Sequence, residues 1–295
     1  MKNEKLNSIL QALPHLQIND IKQNQQGWDN DIVIINDELV FRFPKNEEIA
    51  KKLITEKLLL DILSEKTPVI ALPVYKLINA DQEKLICTYH EYIPGNPLTA
   101  DHFGKFDTDE AAKLLADFLS KLHSIDSSDA QMAGLSTIHT KTYWSEFHLS
   151  IKDEIYPFLS ASHQLDMDRI FEDYFASISA QTIDNRPIHG DLTGANIIYN
   201  TNENKLSGVI DFTDAQIGDP AFDFAGFYWD FGPAFTQKVL SYYGGSEPSS
   251  SLFGRVQSFY GLQPVFHEWL YCIRNGLKVD LDSGMLKLKR LQEHG

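Results

Sequence analysis

The sequence predicts an α+β fold in two lobes: an N-terminal antiparallel sheet with one long helix, then a larger, mainly helical lobe. Three observations carry this. In the first ninety residues, apolar residues alternate in short runs bounded by turn signals, with one helical stripe between them. Ile93-Pro94-Gly95-Asn96-Pro97 then places two prolines and a glycine within five residues, which makes a stiff, extended linker. Beyond it, apolar residues recur at helical spacing, interrupted by one hairpin pattern at 186–211. The expected organisation is an N-terminal lobe over 1–92, a hinge over 93–97 and a C-terminal lobe over 98–295. A chain of 295 residues suits one large domain or two small ones sharing a cleft.

Residues 3–16 are read as a short helix with Leu6, Ile9, Leu10 and Leu13 on one face. Residues 18–43 are read as strands. Asp31–Ile35 and Glu38–Phe43 flank Asn36-Asp37, a two-residue turn signal. Pro44, which has no N–H to give to a ladder, ends the second. A helix over 46–64 carries Ile49, Leu53, Glu56, Leu60 and Leu63 along one stripe. Pro68 and Pro73 separate it from strands near 73–79 and 84–92. After the linker, Asp107-Thr108 opens an amphipathic helix to residue 124, with Ala111, Leu114, Leu115, Phe118 and Leu122 on its apolar face. Residues 142–180 predict two helices with a joint near Ser160–His163. The hairpin follows, and after Pro220 the chain is helical apart from a loop at Ser246–Ser251.

The net charge of −15 disfavours nucleic acid as a partner, because affinity for DNA or RNA comes largely from Lys and Arg on phosphates. The same charge favours a cationic small molecule. Hydrophobic content of 43% and charged content of 23% are ordinary for a soluble globular enzyme. No apolar run approaches the roughly 18–20 residues that span a bilayer. The N-terminus carries acid and lacks an apolar signal core, so a cytoplasmic protein without membrane attachment is expected. Cys87 and Cys272 stand in apolar surroundings and are expected to be buried free thiols. No Cys/His group has zinc spacing.

The most informative stretch is His189-Gly190-Asp191-Leu192-Thr193-Gly194-Ala195-Asn196, followed by Ile210-Asp211-Phe212. An Asn follows the first Asp by five residues and a second Asp follows it by twenty. Phosphoryl transfer needs these parts. One carboxylate orients the acceptor hydroxyl and takes its proton, while an Asn and a second carboxylate hold magnesium on the nucleotide phosphates. The hairpin pattern places Asn196 and Asp211 at the same end of adjacent strands, within reach of one metal pair.

The stretch from His189 to Phe224 resembles the aminoglycoside phosphotransferase family, the antibiotic kinases related to protein kinases and choline kinases. Its motifs read His-Gly-Asp-x4-Asn and Ile-Asp-Phe/Trp. The similarity extends to Gly27–Pro44 and Glu91–Leu98, and is loosest over 125–180 and the last forty residues. The resemblance implies a protein-kinase-like fold, with Asp191 as catalytic base, Asn196 and Asp211 on Mg2+, and His189 supporting the loop. It places Arg42 where the family needs a cation on the third strand to align the nucleotide phosphates, with Glu56 as the partner that steadies it and Lys45 as the competing cation. Gly27 lies in the place of a phosphate-covering loop, and Glu91 and Ile93 lie in the hinge that would bind the base of ATP or GTP. Candidates for the acceptor pocket are Asp214, Asp223, Asp230, Glu268 and Trp269, since carboxylates suit ammonium groups and Trp stacks on a sugar or cation. Asp223 has the alternative of holding the catalytic loop in place, and Trp269 that of core.

The expected activity is therefore ATP- or GTP-dependent phosphorylation of a hydroxyl on a small cationic molecule, foremost an aminoglycoside. A macrolide kinase, a metabolic kinase for choline-like or sugar substrates, and a nucleotide-binding pseudokinase are the alternatives. A protein kinase is disfavoured, because His-Arg-Asp, Asp-Phe-Gly and Ala-Pro-Glu are missing. Oligomeric state is not legible.

Overall fold

A computed structural model describes residues 2–24, 29–80, 84–180 and 182–293. The N-terminal lobe is an antiparallel sheet between two helices, α1 (Lys2–Ala12) and α2 (Glu47–Glu65). Its strands are β1 (Ile21–Asn24), β2 (Asn30–Ile35), β3 (Leu39–Pro44), β4 (Lys76–Asn79) and β5 (Leu85–Glu91), in the order β1-β2-β3-β5-β4. Asn36 and Asp37 both take left-handed backbone, φ 57° and 54°. That conformation, tolerated by Asn and Asp, turns β2 into β3, and the Glu38 N–H closes it on the Ile35 carbonyl at 2.9 Å. α1 ends at Ala12, short of the expected residue 16, and Leu13 and Leu16 still pack on the sheet as loop residues.

α2 is capped by Asn46, whose side chain accepts from the Ile49 N–H at 2.9 Å. Leu53, Leu59, Leu60 and Leu63 are buried, and so is Glu56 in their midst. Leu59, Leu60 and Leu63 belong to the large core of the C-terminal lobe, whereas Ile9, Val33, Ile35, Phe41, Phe43, Ile78 and Cys87 form a separate small core. The helix that carries Glu56 is thus packed against the larger lobe as well as its own sheet. Cys87 is buried, as expected, but Cys272 is only half-buried, because it falls near the open end of a late helix.

The second lobe begins with a two-residue strand, β6 (Asn96–Pro97). Helices α3 (Thr108–His123), α4 (Ser127–Met132), α5 (Lys141–Glu154) and α6 (Ala161–Ala180) follow. The α5–α6 joint is the turn at Tyr156–Phe158, upstream of the expected position, where Pro157 stops the helix. Then come β7 (Arg186–Ile188), β8 (Ile197–Asn200), β9 (Lys205–Val209) and β10 (Gln216–Gly218). β8 and β9 form the expected hairpin with β6 at its edge, and β7 pairs with β10. The chain closes with α7 (Ala225–Phe231), α8 (Pro233–Tyr242), α9 (Ser249–Arg255), α10 (Pro264–Arg274) and α11 (Leu281–Glu293). α9 starts inside the stretch expected to be a loop. Among the described residues, no helix is long and apolar enough to cross a membrane.

Candidate active site

The catalytic-loop candidate leaves β7 at Ile188 and turns sharply at Gly190, φ +82°. A Cβ there would stand 2.1 Å from the Asp214 carbonyl oxygen, so glycine is required. His189 is fully buried. Its Nε2 donates to the Ile210 carbonyl at 3.1 Å, and its Nδ1 accepts the Asp191 N–H at 3.3 Å. Buried Asp223 takes the His189 and Gly190 N–H groups on its two oxygens, at 2.8 and 3.0 Å. His123 bridges from behind, with Nε2 on Asp223 at 3.1 Å and Nδ1 on the Tyr243 hydroxyl at 2.8 Å. The loop that presents Asp191 is thereby fixed through its backbone, leaving the carboxylate open to the cleft.

Asn196 donates through Nδ2 to both the carbonyl and Oδ2 of Asp191, at 2.8 and 2.9 Å, so its Oδ1 is the atom left to hold a cation. The Ile210 N–H bonds the Asn196 carbonyl at 2.9 Å, which sets Asp211 beside this pair at the end of the hairpin. Asp211 is left-handed, φ 64°, an uncommon conformation for a residue with a Cβ. Its Oδ1 accepts from Arg42 Nη2 at 2.8 Å and from the Thr213 hydroxyl at 2.6 Å. Oδ2 is then the oxygen available to a cation. Among the described residues no three His, Cys, Asp or Glu side chains cluster as a metal site. Magnesium needs none, because it keeps several waters and takes one or two carboxylates together with substrate phosphates. The donor set of Asn196 and Asp211 fits that habit.

Arg42 is 5% exposed and ties the lobes together. Nη1 donates to Glu56 at 2.7 Å and to the Tyr75 hydroxyl, and Nη2 donates to Asp211 and, at 2.7 Å, to Thr213. Glu56 also accepts the Phe212 N–H at 2.9 Å and the Tyr75 hydroxyl at 2.9 Å. Burial works against the charge on Arg42, and Glu56 and Asp211 outweigh it. Burial would raise the Asp211 carboxyl, but Arg42 and Thr213 hold it below its ordinary value. Asp191 goes the other way. It is raised by desolvation first and by Asp214 and Asp211 after it, while His189 and Asn196 oppose. A raised pKa suits a group that must take a proton.

One cavity opens at this cluster and a second lies at the hinge. The first, of about 800 Å³, has Asp191 in its wall with Asp214, Asp230, Trp229, Phe222, Phe231 and His139. Its lining holds three carboxylates and no Lys or Arg. Burial, and the neighbouring His267, push the His139 imidazole down to about 4, so it adds no positive charge near neutral pH. Lys52 stands near the rim, with Nζ 3.6 Å from Asp214 Oδ1. The second cavity, about 440 Å³, lies at the hinge and is lined by Leu39, Leu72, Val74, Lys76, Tyr89, Glu91, Ile93 and neighbours. Leu39, Lys76 and Tyr89 stand on the sheet face opposite Arg42, so this cavity is separate from the Asp191 cluster.

A sequence model of the phosphotransferase enzyme family matches residues 20–253. The chain belongs to this family. Its relatives include the viomycin phosphotransferase of Streptomyces vinaceus, 27% identical over 197 residues. That match covers 65% of this chain and 66% of the relative, just under two thirds of its length. The GDP complex of wild-type aminoglycoside 2'-phosphotransferase-IIIa superposes with a TM-score of 0.83 at 25% identity, over 99% of this chain and 98% of that one. The macrolide 2'-phosphotransferase MphH of Brachybacterium faecium shares the fold, with a TM-score of 0.69 at 19% identity over 99% and 97% of the two chains.

Within this phosphotransferase fold the predicted residues separate. Asp191, Asn196, Asp211, Arg42, Glu56 and His189 come together in one connected cluster. Arg42 holds the buried position and Lys45 stands exposed at the strand end. Arg42 has four of its donor bonds on protein groups, so here it fixes Asp211 and Glu56. Glu91 and Ile93 line the hinge cavity, and Asp214 and Asp230 line the larger one. Three acceptor candidates fall elsewhere. Asp223 is 1% exposed with its oxygens on loop amides, so it acts on the loop instead of the acceptor. Trp269 is 2% exposed and packs against Phe266 in the core. Glu268 is exposed and outside the cavity lining. Gly27 lies outside the described residues. The sequence reading missed Tyr75, Thr213, His123 and Trp229. Only Thr213 carried a signal, being two residues after Asp211.

Proposed function

We propose that this protein transfers the γ-phosphate of ATP or GTP to a hydroxyl of a small polycationic molecule of the aminoglycoside class. The observation that carries this is the position of Asp191 in a cavity lined, among the described residues, by three carboxylates and aromatic faces with no Lys or Arg in its wall. Such a wall attracts ammonium groups and stacks on sugar rings. The kanamycin and GDP complex of APH(2")-IIia, with a TM-score of 0.81 at 25% identity, supports the same substrate class.

Asp191 would orient the acceptor hydroxyl and take its proton, aided by a pKa raised toward the working range. Asn196 keeps that carboxylate in one rotamer through its Nδ2 bond. Asn196 Oδ1 and Asp211 Oδ2 would hold Mg2+, which when bound neutralises charge on the nucleotide phosphates. Arg42 and Thr213 orient Asp211 for that task, and Glu56 orients Arg42. The base of the nucleotide would lie against the hinge at Glu91 and Ile93, on the side that faces Asp211. Positioning and electrostatics of this kind supply most of the acceleration in phosphoryl transfer.

The test is magnesium-dependent ADP and GDP release by purified protein against kanamycin, gentamicin, streptomycin, viomycin, a macrolide, choline and simple sugars. Stimulation by the polycationic acceptors, lost in Asp191→Asn, is the expected result. Stimulation by the neutral sugars or the macrolide alone would overturn the substrate class. Nucleotide binding without turnover on any acceptor would favour a pseudokinase.

A further inference from the structure

Lys287 of α11 places its ammonium 3.3 Å from the centroid of the Trp229 ring. Trp229 and its neighbour Asp230 line the acceptor cavity. Three features show that this placement is built into the fold. Gly284, one turn before Lys287 on the same face of α11, lets the helix sit on Trp269: a Cβ there would fall 2.5 Å from the indole. Leu288 and Leu291 are buried on that side. The Tyr228 hydroxyl, adjacent to Trp229 on α7, donates to the Leu291 carbonyl at 2.6 Å. α11 is therefore clamped to the helix that supplies Trp229 and Asp230. The ammonium is half-buried, and its burial opposes the charge while Asp230 and Glu268 favour it.

We propose that Lys287 is a resident cation at the edge of the acceptor cleft: outside the cavity lining itself, its ammonium lies over Trp229, a ring that lines the cavity, and takes the cation–π seat that an ammonium group of the acceptor would otherwise use. The inference rests on the cationic-acceptor reading above and deepens it. A cleft with one cation seat already filled binds fewer acceptor ammonium groups, so Lys287 sets how much positive charge the enzyme selects.

Lys287→Met keeps the aliphatic stem and removes the charge, and Lys287→Arg keeps the charge. Kanamycin is the probe, measured by steady-state kinetics and by equilibrium binding. Lys287→Met is expected to lower both KM and Kd for kanamycin by about three- to thirtyfold, the range that one freed cation–π seat supplies. The gain should appear in KM rather than kcat, and Lys287→Arg should resemble the wild type. The binding arm separates the two ideas. If the wild type turns over no acceptor, the parent reading fails, and the Kd comparison still decides the role of Lys287. No tighter kanamycin binding in Lys287→Met, or weaker binding, overturns the proposal. Equal gains in the Met and Arg variants would also overturn it, because they would mean that space and not charge is freed.

Discussion

Two arginines are almost equally buried in this molecule, Arg42 at 5% and Arg255 at 4% exposure, and each is paired with two carboxylates. Arg255 lies wholly within the helical lobe. It grips Asp219 with Nε and Nη2 at 2.7 and 2.8 Å, and Glu247 with both terminal nitrogens at 2.5 and 2.7 Å. Asp219 in turn caps the turn at Ala221 through its N–H, 2.9 Å. Nothing in this group faces the acceptor cavity. Arg42 instead joins a strand and a helix of one lobe to the Asp211 loop of the other, and Asp211 has a side chain 47% exposed on left-handed backbone. A buried ion pair therefore does not by itself mark a site. What marks the Arg42 group is an open carboxylate held in an uncommon conformation, beside a second carboxylate whose pKa is raised.

The comparison breaks first at the arginines themselves. Arg42→Met removes a buried charge that two carboxylates depend on, so it should cost about 3–5 kcal/mol of stability. It should also reduce kcat/KM by about a hundredfold or more, since Asp211 loses its orientation. Urea unfolding and steady-state kinetics on the same preparation check both. Arg255→Met should lower stability by a similar amount, about 3–5 kcal/mol. At a temperature where it remains folded, its kcat/KM should match the wild type, and a large catalytic defect there would erase the distinction.

How far this difference was legible in the sequence follows from where the partners lie. Arg42 stands in a strand whose neighbours, Val40-Phe41 and Phe43-Pro44, make it unusual, and Glu56 follows on the next helix. Asp191, Asn196 and Asp211 are close in sequence and carry their chemistry in their spacing. Arg255 meets Asp219 thirty-six residues away and Glu247 inside a stretch expected to be loop, so no local pattern signals it. Trp269 and Trp229 illustrate the same limit. Both lie on apolar helices, yet Trp269 packs in the core against Phe266 and Gly284, while Trp229 lines the cavity.

A smaller effect sharpens the contrast by pH. Asp191 is raised by desolvation and by neighbouring carboxylates, so the acid limb of kcat/KM should fall above the ordinary Asp value of about 3.9. Asp211, lowered by Arg42 and Thr213 against its burial, stays ionised through that limb. In the Arg255 group, Arg255 lowers the Glu247 carboxyl first, with burial opposing. A lowered carboxyl gives stability that is present above its unfolded pKa and lost as pH falls through the folded one. The stability gap between wild type and Arg255→Met should therefore narrow below about pH 4, the unfolded Glu range. The smallest effect concerns salt. KM for a polycationic acceptor should rise a few-fold between low and high ionic strength, because exposed carboxylate–ammonium contacts are screened. A KM indifferent to salt would remove the charge argument for the acceptor.

The most direct measurement of the central claim is single-turnover transfer of a labelled γ-phosphate from ATP or GTP to kanamycin, comparing wild type with Asp191→Asn. Label on the antibiotic is expected with the wild type, with transfer slower by about a hundred- to ten-thousandfold in the variant, the range of a lost general base. Label confined to inorganic phosphate, or equal transfer by both proteins, would contradict it.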